Sequence, residues 1–419
     1  MFIYVVKSGD SVFSIANKYR ISMNSVRIIN GLQTDQLVPG QDLLIPSTVY
    51  IVQPGDSLYK IAQMALVPIE TIRLFNGLHT DVLMIGMSLY LPPRKKDLVE
   101  TFSYLVPSTP EKNRVNVQTF ASLNSYFGVF EYHILEDGNL SSLNDQNLVT
   151  LIRANGVAPI AVITNLTASG FSSELTKRIL NNPILRQKVI DNIYNLVKSK
   201  KYAGVNIDFE RVRESERDLY SGFLHAIRNR LRPEGFSTSA AVPAKTDDQI
   251  PWLKGYDYGG IGAAVDFVFI MAYDWHEASS PPGPVAPIIE VRKTIEYALR
   301  FMGRNKIILG VARYGYDWTM SNGKVVSARA HSISDSINIA MRYRVPIQYS
   351  IQYQQPYFSY RDETGNYHIV WFEDIKARAK KYQLVFDYQL RGVGAWQLAL
   401  QFPQSDNLIN EYFRKKTVI

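Results

Sequence analysis

Gly204-Val205-Asn206-Ile207-Asp208-Phe209-Glu210 alternates apolar and polar side chains and ends on two carboxylates. A period of two is that of a β-strand, so Asn206, Asp208 and Glu210 share one face while Val205, Ile207 and Phe209 share the other. The apolar face can lie under helices. The polar face must line an interior, where three polar groups are costly unless they are hydrogen-bonded or used. In a parallel (β/α) barrel, acidic residues at the C-terminal end of an inward-facing strand stand where catalytic groups are placed. Two carboxylates two residues apart suit acid catalysis, because each raises the cost of ionising the other and one can stay protonated near neutral pH. A structural Asp-x-Glu paired with Arg211 or Arg213 is the bland alternative.

Working outward, short apolar runs alternate with helical stretches from about residue 98 to the end, which argues for βα units and a parallel sheet. Candidate strands cover 101–106, 126–132, 158–164, 204–210, 237–242, 267–273, 307–312 and 392–398, and eight of them over 98–419 predict an α/β (β/α)8 TIM barrel. Between the seventh and eighth, residues 316–370 read as loops and short strands, with Asn322-Gly323 and Thr364-Gly365-Asn366 as turn signals. Residues 371–385 read as the helix before the last strand.

The N-terminal region repeats without gaps at a period of 46 residues: Tyr4-Val-Val6 recurs as Tyr50-Ile-Val52, Gly9-Asp10-Ser11 as Gly55-Asp56-Ser57, and Asn30-Gly31-Leu32 as Asn76-Gly77-Leu78. Two copies of a small strand-helix-helix-strand domain are expected, at 1–47 and 48–93. Asp10 or Ser11 can cap the first helix and Gly31 can end the second. The unit resembles the LysM module, whose family binds N-acetylglucosamine-containing glycans in a shallow groove. That resemblance implies grooves at Gly9, Asp10, Ser11 and Leu37 in one copy and at Gly55, Asp56, Ser57 and Leu83 in the other. Helix capping is the competing role for Asp10 and Asp56. The short segment Pro92-Pro93-Arg94-Lys95-Lys96-Asp97 closes the repeat and predicts a linker with limited reorientation.

The longer part of the chain resembles glycoside hydrolase family 18, which carries DGxDxDxE on its fourth barrel strand. Residues 203–210 match that motif with Ala203 and Asn206 where the family usually has Asp. Three further stretches match in order: Met271-Ala-Tyr273-Asp274 as the sixth strand's MxYD, 307–315 as the seventh strand, and Gly392-Val-Gly394-Ala-Trp396-Gln397 as the eighth. The resemblance implies a small α+β insertion at 316–370, in a reduced form that adds a low groove wall. It also implies retaining hydrolysis in which the substrate's own acetamido group is the nucleophile. Glu210 would be acid and then base, Asp208 would orient the acetamide, and Tyr273 would donate to its carbonyl. Asp274, Met271 and Asn206 would complete the substrate site, and Trp396 would floor the sugar ring. An amide at 206 can hydrogen-bond Asp208 without sharing a charge with it, so Asp208 is expected to ionise more readily.

The combination of two modules with this strand is similar to the cortical-fragment-lytic N-acetylglucosaminidases of endospore-forming bacteria. The implied function is hydrolysis of β-1,4 bonds at N-acetylglucosamine in cortex peptidoglycan containing muramic-δ-lactam, during germination. The implied location is the spore coat or outer spore layers, with coat proteins as further candidate partners. A chitinase or general wall endo-N-acetylglucosaminidase, and a non-catalytic glycan-binding or coat protein, are the alternative readings.

Composition narrows the field. Apolar residues make up 46% and charged residues 20%, an ordinary globular balance. The absence of cysteine excludes disulfides, thiolate zinc sites and a cysteine nucleophile. Six His with no HExxH-like spacing predict no metal site, and the family resemblance implies a reaction without a cofactor. A net charge of +8 favours an anionic partner; with no long Lys/Arg block, peptidoglycan is expected rather than nucleic acid. No run approaches a membrane span, and the opening residues Met1-Phe-Ile-Tyr-Val-Val-Lys7 pass directly into a strand, so synthesis without a cleaved signal peptide is expected.

Overall fold

In the computed structural model, which describes residues 1–419, eight parallel strands follow one another around a closed barrel. They are Asp97–Leu105, Tyr126–His133, Ala158–Thr164, Gly204–Asp208, Ser237–Pro243, Phe267–Met271, Ile307–Ala312 and Gly392–Trp396. The eighth pairs in parallel with the first, Gly392 opposite Glu100, which closes the sheet. The strand expectations hold to within a few residues. The fourth strand ends at Asp208, so Glu210 lies just beyond it, and the sixth ends two residues before Tyr273. Both candidate site stretches therefore leave the sheet at its C-terminal rim, where the backbone is free to turn.

Inside the barrel an aromatic cluster of Phe102, Tyr104, Tyr126, Phe267 and Phe269 meets side chains from the third strand. Phe102 and Phe269 sit with ring centroids 5.7 Å apart. Gly310 and Gly394 make room for Phe269: a Cβ at either would come within 2.4 Å of its ring. In the Gly-x-Gly of the eighth strand, Gly394 thus yields to Phe269, while Gly392 yields to the Glu100 carbonyl oxygen, 1.6 Å from where a Cβ would sit. Outside the barrel, apolar faces of strands and helices form a cluster of 77 buried residues.

The insertion is more fully built than its turn signals suggest. It is a five-stranded antiparallel sheet spanning Tyr314 to Phe372, with the helix Ile333–Tyr343 against it. The expectation of loops and short strands fails because strands such as Lys324–Ser332 lack a strong apolar face: most of that strand is exposed or half-exposed. The helix that follows the insertion is Ile375–Asp387.

Each N-terminal unit is a two-stranded antiparallel sheet with two helices between the strands, Phe2 opposite Ile45 in the first and Val49 opposite Tyr90 in the second. The two share one core, in which Phe2 and Tyr19 of the first unit touch Tyr50 of the second at 5.1 and 5.5 Å between ring centroids. The first unit is also docked on the barrel. Ile3, Ile29, Val38 and Leu44 belong to the large barrel core. The Ile347 N–H donates to the Pro39 carbonyl at 2.9 Å, and the Gln404 amide donates to Asn30 at 2.7 Å and to the Asp42 carbonyl at 2.9 Å. Gly40 lies so close to the insertion that a Cβ would be 1.8 Å from the Ile347 carbonyl oxygen. The linker is pinned as well: Arg94 lies 3.9 Å over the Tyr412 ring and donates to Gln383 at 2.9 Å. The expected reorientation at the linker is therefore corrected to a seated contact, built from side chains 300 or more residues apart.

Candidate active site

Asn206 and Asp208 point into the barrel and are almost wholly buried. Asn206 accepts from the Tyr104 hydroxyl at 3.0 Å, and its amide donates to Ser239 Oγ at 3.0 Å. Both ends of the amide are thus engaged by the first and fifth strands, and Ser239 donates onward to the Val205 carbonyl. The expected hydrogen bond from Asn206 to Asp208 is corrected accordingly. Asp208 Oδ1 is buried with no hydrogen-bond partner. Burial, then the negative fields of Glu210 and Glu131, push its carboxyl well above the usual range. That corrects the expectation of easier ionisation: loss of the usual neighbouring Asp is outweighed by desolvation and by a carboxylate from another strand.

Glu210 is half-buried at the rim. Its carboxyl is pushed up to about 7 by burial and by Asp274, with Arg211 opposing. A carboxyl in this range can give a proton and take one back at neutral pH. Its backbone is held from the third strand's end: the Glu210 N–H donates to Asn165 Oδ1 at 3.0 Å, and the Asn165 amide donates to the Glu210 carbonyl at 2.7 Å.

Beyond the sixth strand, Tyr273 remains a neutral hydroxyl far above neutral pH, because burial and the fields of Asp274, Asp208 and Glu210 all oppose its ionisation. Asp274 takes the left-handed conformation with φ 63°. Its Oδ1 accepts from the Tyr314 hydroxyl at 2.7 Å and from Tyr316 at 3.2 Å. The side chain is open to the cleft, yet surrounding protein raises its carboxyl to about 6, and the two tyrosine hydroxyls work against that rise. Trp396 closes the floor, edge-on to Phe130 at 4.7 Å and Tyr104 at 5.3 Å, with Met271 in the same cluster. All seven residues expected in the substrate site therefore gather at one end of the barrel.

Several neighbours escaped the sequence reading. Asn165 is one, signalled only by its place immediately after a strand. Glu131 is another. The pairing of the second and third strands shifts register between Val129 and Tyr132, a bulge that breaks the period-two reading. Glu131 there accepts from Thr164 Oγ1 at 2.9 Å, and Thr164 is the cross-strand partner of Asp208. Trp252 is 74% exposed and lines, with Glu210 and Tyr256, a cavity of about 560 Å³. An exposed indole beside the acid offers a flat apolar face to a sugar ring.

In the N-terminal units, Ser11 and Ser57 cap the helices, accepting from Ser14 and Lys60 N–H. Capping is corrected as the role of Asp10 and Asp56. Each braces the turn after the first strand: Asp10 accepts from the Tyr4 hydroxyl at 2.6 Å and the Lys7 N–H at 2.8 Å, and Asp56 from Tyr50 and Gln53, both at 2.8 Å. Gly9 and Gly55 supply positive φ to those turns. Leu37 and Leu83 are both half-buried, but their surroundings differ. Beside Leu37, Val38 joins the barrel core and Pro39 bonds Ile347. Beside Leu83, Val82, Met84 and Ile85 are each more than 70% exposed.

No group of three or more His, Asp or Glu is arranged to hold a metal ion, and no helix is long and apolar enough to cross a membrane.

Comparison with known proteins agrees with this geometry. The model for glycosyl hydrolases family 18 matches residues 113–400, and the LysM domain model matches 4–46 and 50–92. The chain is 46% identical over 420 residues to YdhD of Bacillus subtilis, whose designation as a sporulation-specific glycosylase is provisional, covering 100% of both chains. It is 42% identical over 430 residues to the cortical fragment-lytic enzyme of the same organism, again covering 100% of both. The crystal structure of the Bacillus cereus spore cortex-lytic enzyme SleL superposes with a TM-score of 0.89 at 34% identity, covering 99% of each chain. With an acid pair at the rim of a closed parallel barrel and a family match across most of that barrel, the chain belongs to glycoside hydrolase family 18 and carries two LysM domains ahead of its catalytic barrel.

Proposed function

We propose that this glycoside hydrolase cleaves β-1,4 bonds at N-acetylglucosamine in spore cortex peptidoglycan during germination. The observation that carries the reading is the pairing of Asp208 with Glu210, two carboxyls raised by burial at the mouth of the barrel, in a chain whose full-length relatives are named for cortex lysis. Glu210 protonates the glycosidic oxygen and then activates water. Asp208, with a buried oxygen free of any protein donor, receives the acetamide N–H of the substrate. Tyr273 donates to the acetamide carbonyl, and Trp396 carries the ring. The acetamide oxygen attacks the anomeric carbon as the leaving oxygen takes the proton, and water opens the oxazolinium ring with retention.

Chemistry supports the choice of bond. Muramic-δ-lactam has no free acetamido group, so the reacting sugar must be N-acetylglucosamine. Mass spectrometry of products from purified lactam-containing peptidoglycan tests this: fragments with N-acetylglucosamine at the new reducing end are expected. Faster cleavage of chitin oligomers than of cortex fragments would favour the chitinase reading instead. The proposal extends to domain bounds of 1–47, 48–93 and 98–419, to residence in the outer spore layers, and to coat proteins as neighbours there.

A further inference from the structure

Away from the barrel mouth, a cavity of about 800 Å³ opens where both N-terminal domains meet the helix Ile375–Asp387. Five lysines reach its wall: Lys7 and Lys18 from the first domain, Lys60 from the second, and Lys376 and Lys380 from the barrel helix. The one carboxylate on that wall, Asp56, is already occupied by the Tyr50 hydroxyl and the Gln53 N–H. Among the lysines, Lys18 has Asp10 at 3.7 Å. Lys60 bonds the Gly55 carbonyl, Lys380 bonds the Gln63 side chain at 3.2 Å, and Lys376 lies 3.5 Å over the Tyr349 ring. Lys60, Lys380 and Lys376 thus meet neutral oxygens and a π face, and Lys18 alone has a carboxylate within 4 Å. Behind the wall lie the buried carboxyls of Asp42 and Asp374, both pushed up by desolvation, with the Lys376 charge opposing that rise.

Lys376 and Lys380 are one helical turn apart, a spacing at which like charges repel. Burial and Lys376 together lower the proton affinity of Lys380. A docking contact built for stability alone would not gather charges of one sign on one wall. Apart from Gly55, Gln53 and Gln63, the rest of the lining is aromatic and apolar, including Tyr50, Tyr59 and Met64, and Tyr59 is 62% exposed. Such a wall suits a ligand with several carboxylates on a short, partly apolar backbone.

We infer that this junction cavity, whose wall takes in Gly55 and Asp56 of the second LysM loop, binds the carboxylate-bearing peptide stem of a peptidoglycan fragment away from the catalytic cleft. The inference rests on peptidoglycan being the substrate. A stem seated here hangs from a glycan strand that both domains and barrel can reach, so the cavity selects peptide-bearing strands over bare ones.

The test is titration calorimetry on the full chain with three probes: a disaccharide-tetrapeptide, the same disaccharide freed of its peptide, and the tetrapeptide alone. The expected result is a Kd at least tenfold lower for the disaccharide-tetrapeptide than for the bare disaccharide, with a steep salt dependence. Lys376→Gln/Lys380→Gln should erase that difference and leave the bare disaccharide unaffected. Lys7→Gln, at an exposed position that cannot disturb folding, should weaken the tetrapeptide alone severalfold. Equal affinity of the native protein for the two disaccharides would overturn the proposal, as would undiminished tetrapeptide binding in both variants. Lysine-dependent binding of the tetrapeptide by a protein that cuts no cortex glycan would uphold the cavity and sink the proposed substrate instead.

Discussion

Asn165 brackets the peptide unit of Glu210, accepting from its N–H at 3.0 Å and donating to its carbonyl at 2.7 Å. Asn165 is fully buried, and its amide also reaches the Ser172 carbonyl and Thr176 Oγ1. Glu210 stands beyond the last ladder bond of its own strand. A side chain from the neighbouring strand therefore supplies the two-point hold that the sheet no longer gives, and a catalytic acid depends on such a hold for its aim.

Asn165→Ala is expected to lower kcat at least tenfold with KM little changed, and to destabilise the protein by about 1–3 kcal/mol through the unpaired groups left behind. Steady-state kinetics alongside denaturant unfolding measures both. Unaltered kcat in a folded variant would make Asn165 a structural residue only.

Glu210→Gln deletes the proton donor and keeps its shape. Turnover should fall by about two to four orders of magnitude while fragment binding and melting temperature stay near native. Stopped assays of purified protein, with binding measured separately, decide it. Comparable activity in the variant would remove Glu210 from its assigned role.

The pH dependence of rate follows from the raised carboxyl. Glu210 is held at about 7, so its acid form dominates below that pH and turnover should decline as pH rises through it. Arg211 favours the ionised form, so Arg211→Gln should move the declining limb to higher pH. Glu131→Gln should do the reverse to Asp208, whose proton is held partly by the Glu131 charge, and shift the rising limb to lower pH. An identical pH–rate profile in both variants would show that these fields do not reach the chemistry.

Asn206→Asp replaces a fully buried amide that donates to Ser239 and accepts from Tyr104. The introduced carboxyl has no cation beside it, so burial should raise its folded pKa above its unfolded value. A group raised in this way binds its proton more tightly in the folded state, so stability should fall as pH climbs from the ordinary Asp range toward the raised value. Melting curves at pH 5 and pH 8 should therefore diverge more for the variant than for the native protein. Parallel behaviour would mean that the amide's donor role is dispensable.

Deleting residues 1–96 should do more than weaken adhesion to insoluble cortex. The helix Pro403–Tyr412 and the helix Ile375–Asp387 would lose the cover of the first domain. Each buried aliphatic side chain bared in this way costs roughly 1.5–3 kcal/mol. A lower melting temperature of the barrel is expected together with loss of binding. Loss of binding at unchanged melting would show that the docked interface contributes little to the fold.

The barrel was legible because its strands carry continuous apolar runs bounded by polar rims, and Ala158–Thr164 and Ile307–Ala312 were read to the residue. The acid pair was legible because period-two alternation put it on one face. Glu131 was hidden by a bulge that breaks that period, and Asn165 by acting through backbone groups that any residue possesses. The seating of the first domain was also hidden. It depends on Gly40 meeting Ile347 and on Gln404 meeting Asn30, pairs that local pattern cannot bring together.

Because the first domain shares its core with the barrel and Pro39 is bonded to Ile347, the turn at Gly9 is held at a set distance from Glu210. A jointed enzyme would cut a held strand at a smear of positions. A rigid one works as a ruler, with one end on the strand and the blade at a set mark. Chromatograms of long cortex strands digested by this protein should then show fragments gathered around one preferred length. Substituting Ala at Gly40, where a Cβ would strike the Ile347 carbonyl, should unseat the ruler and broaden that distribution while the blade itself stays sharp.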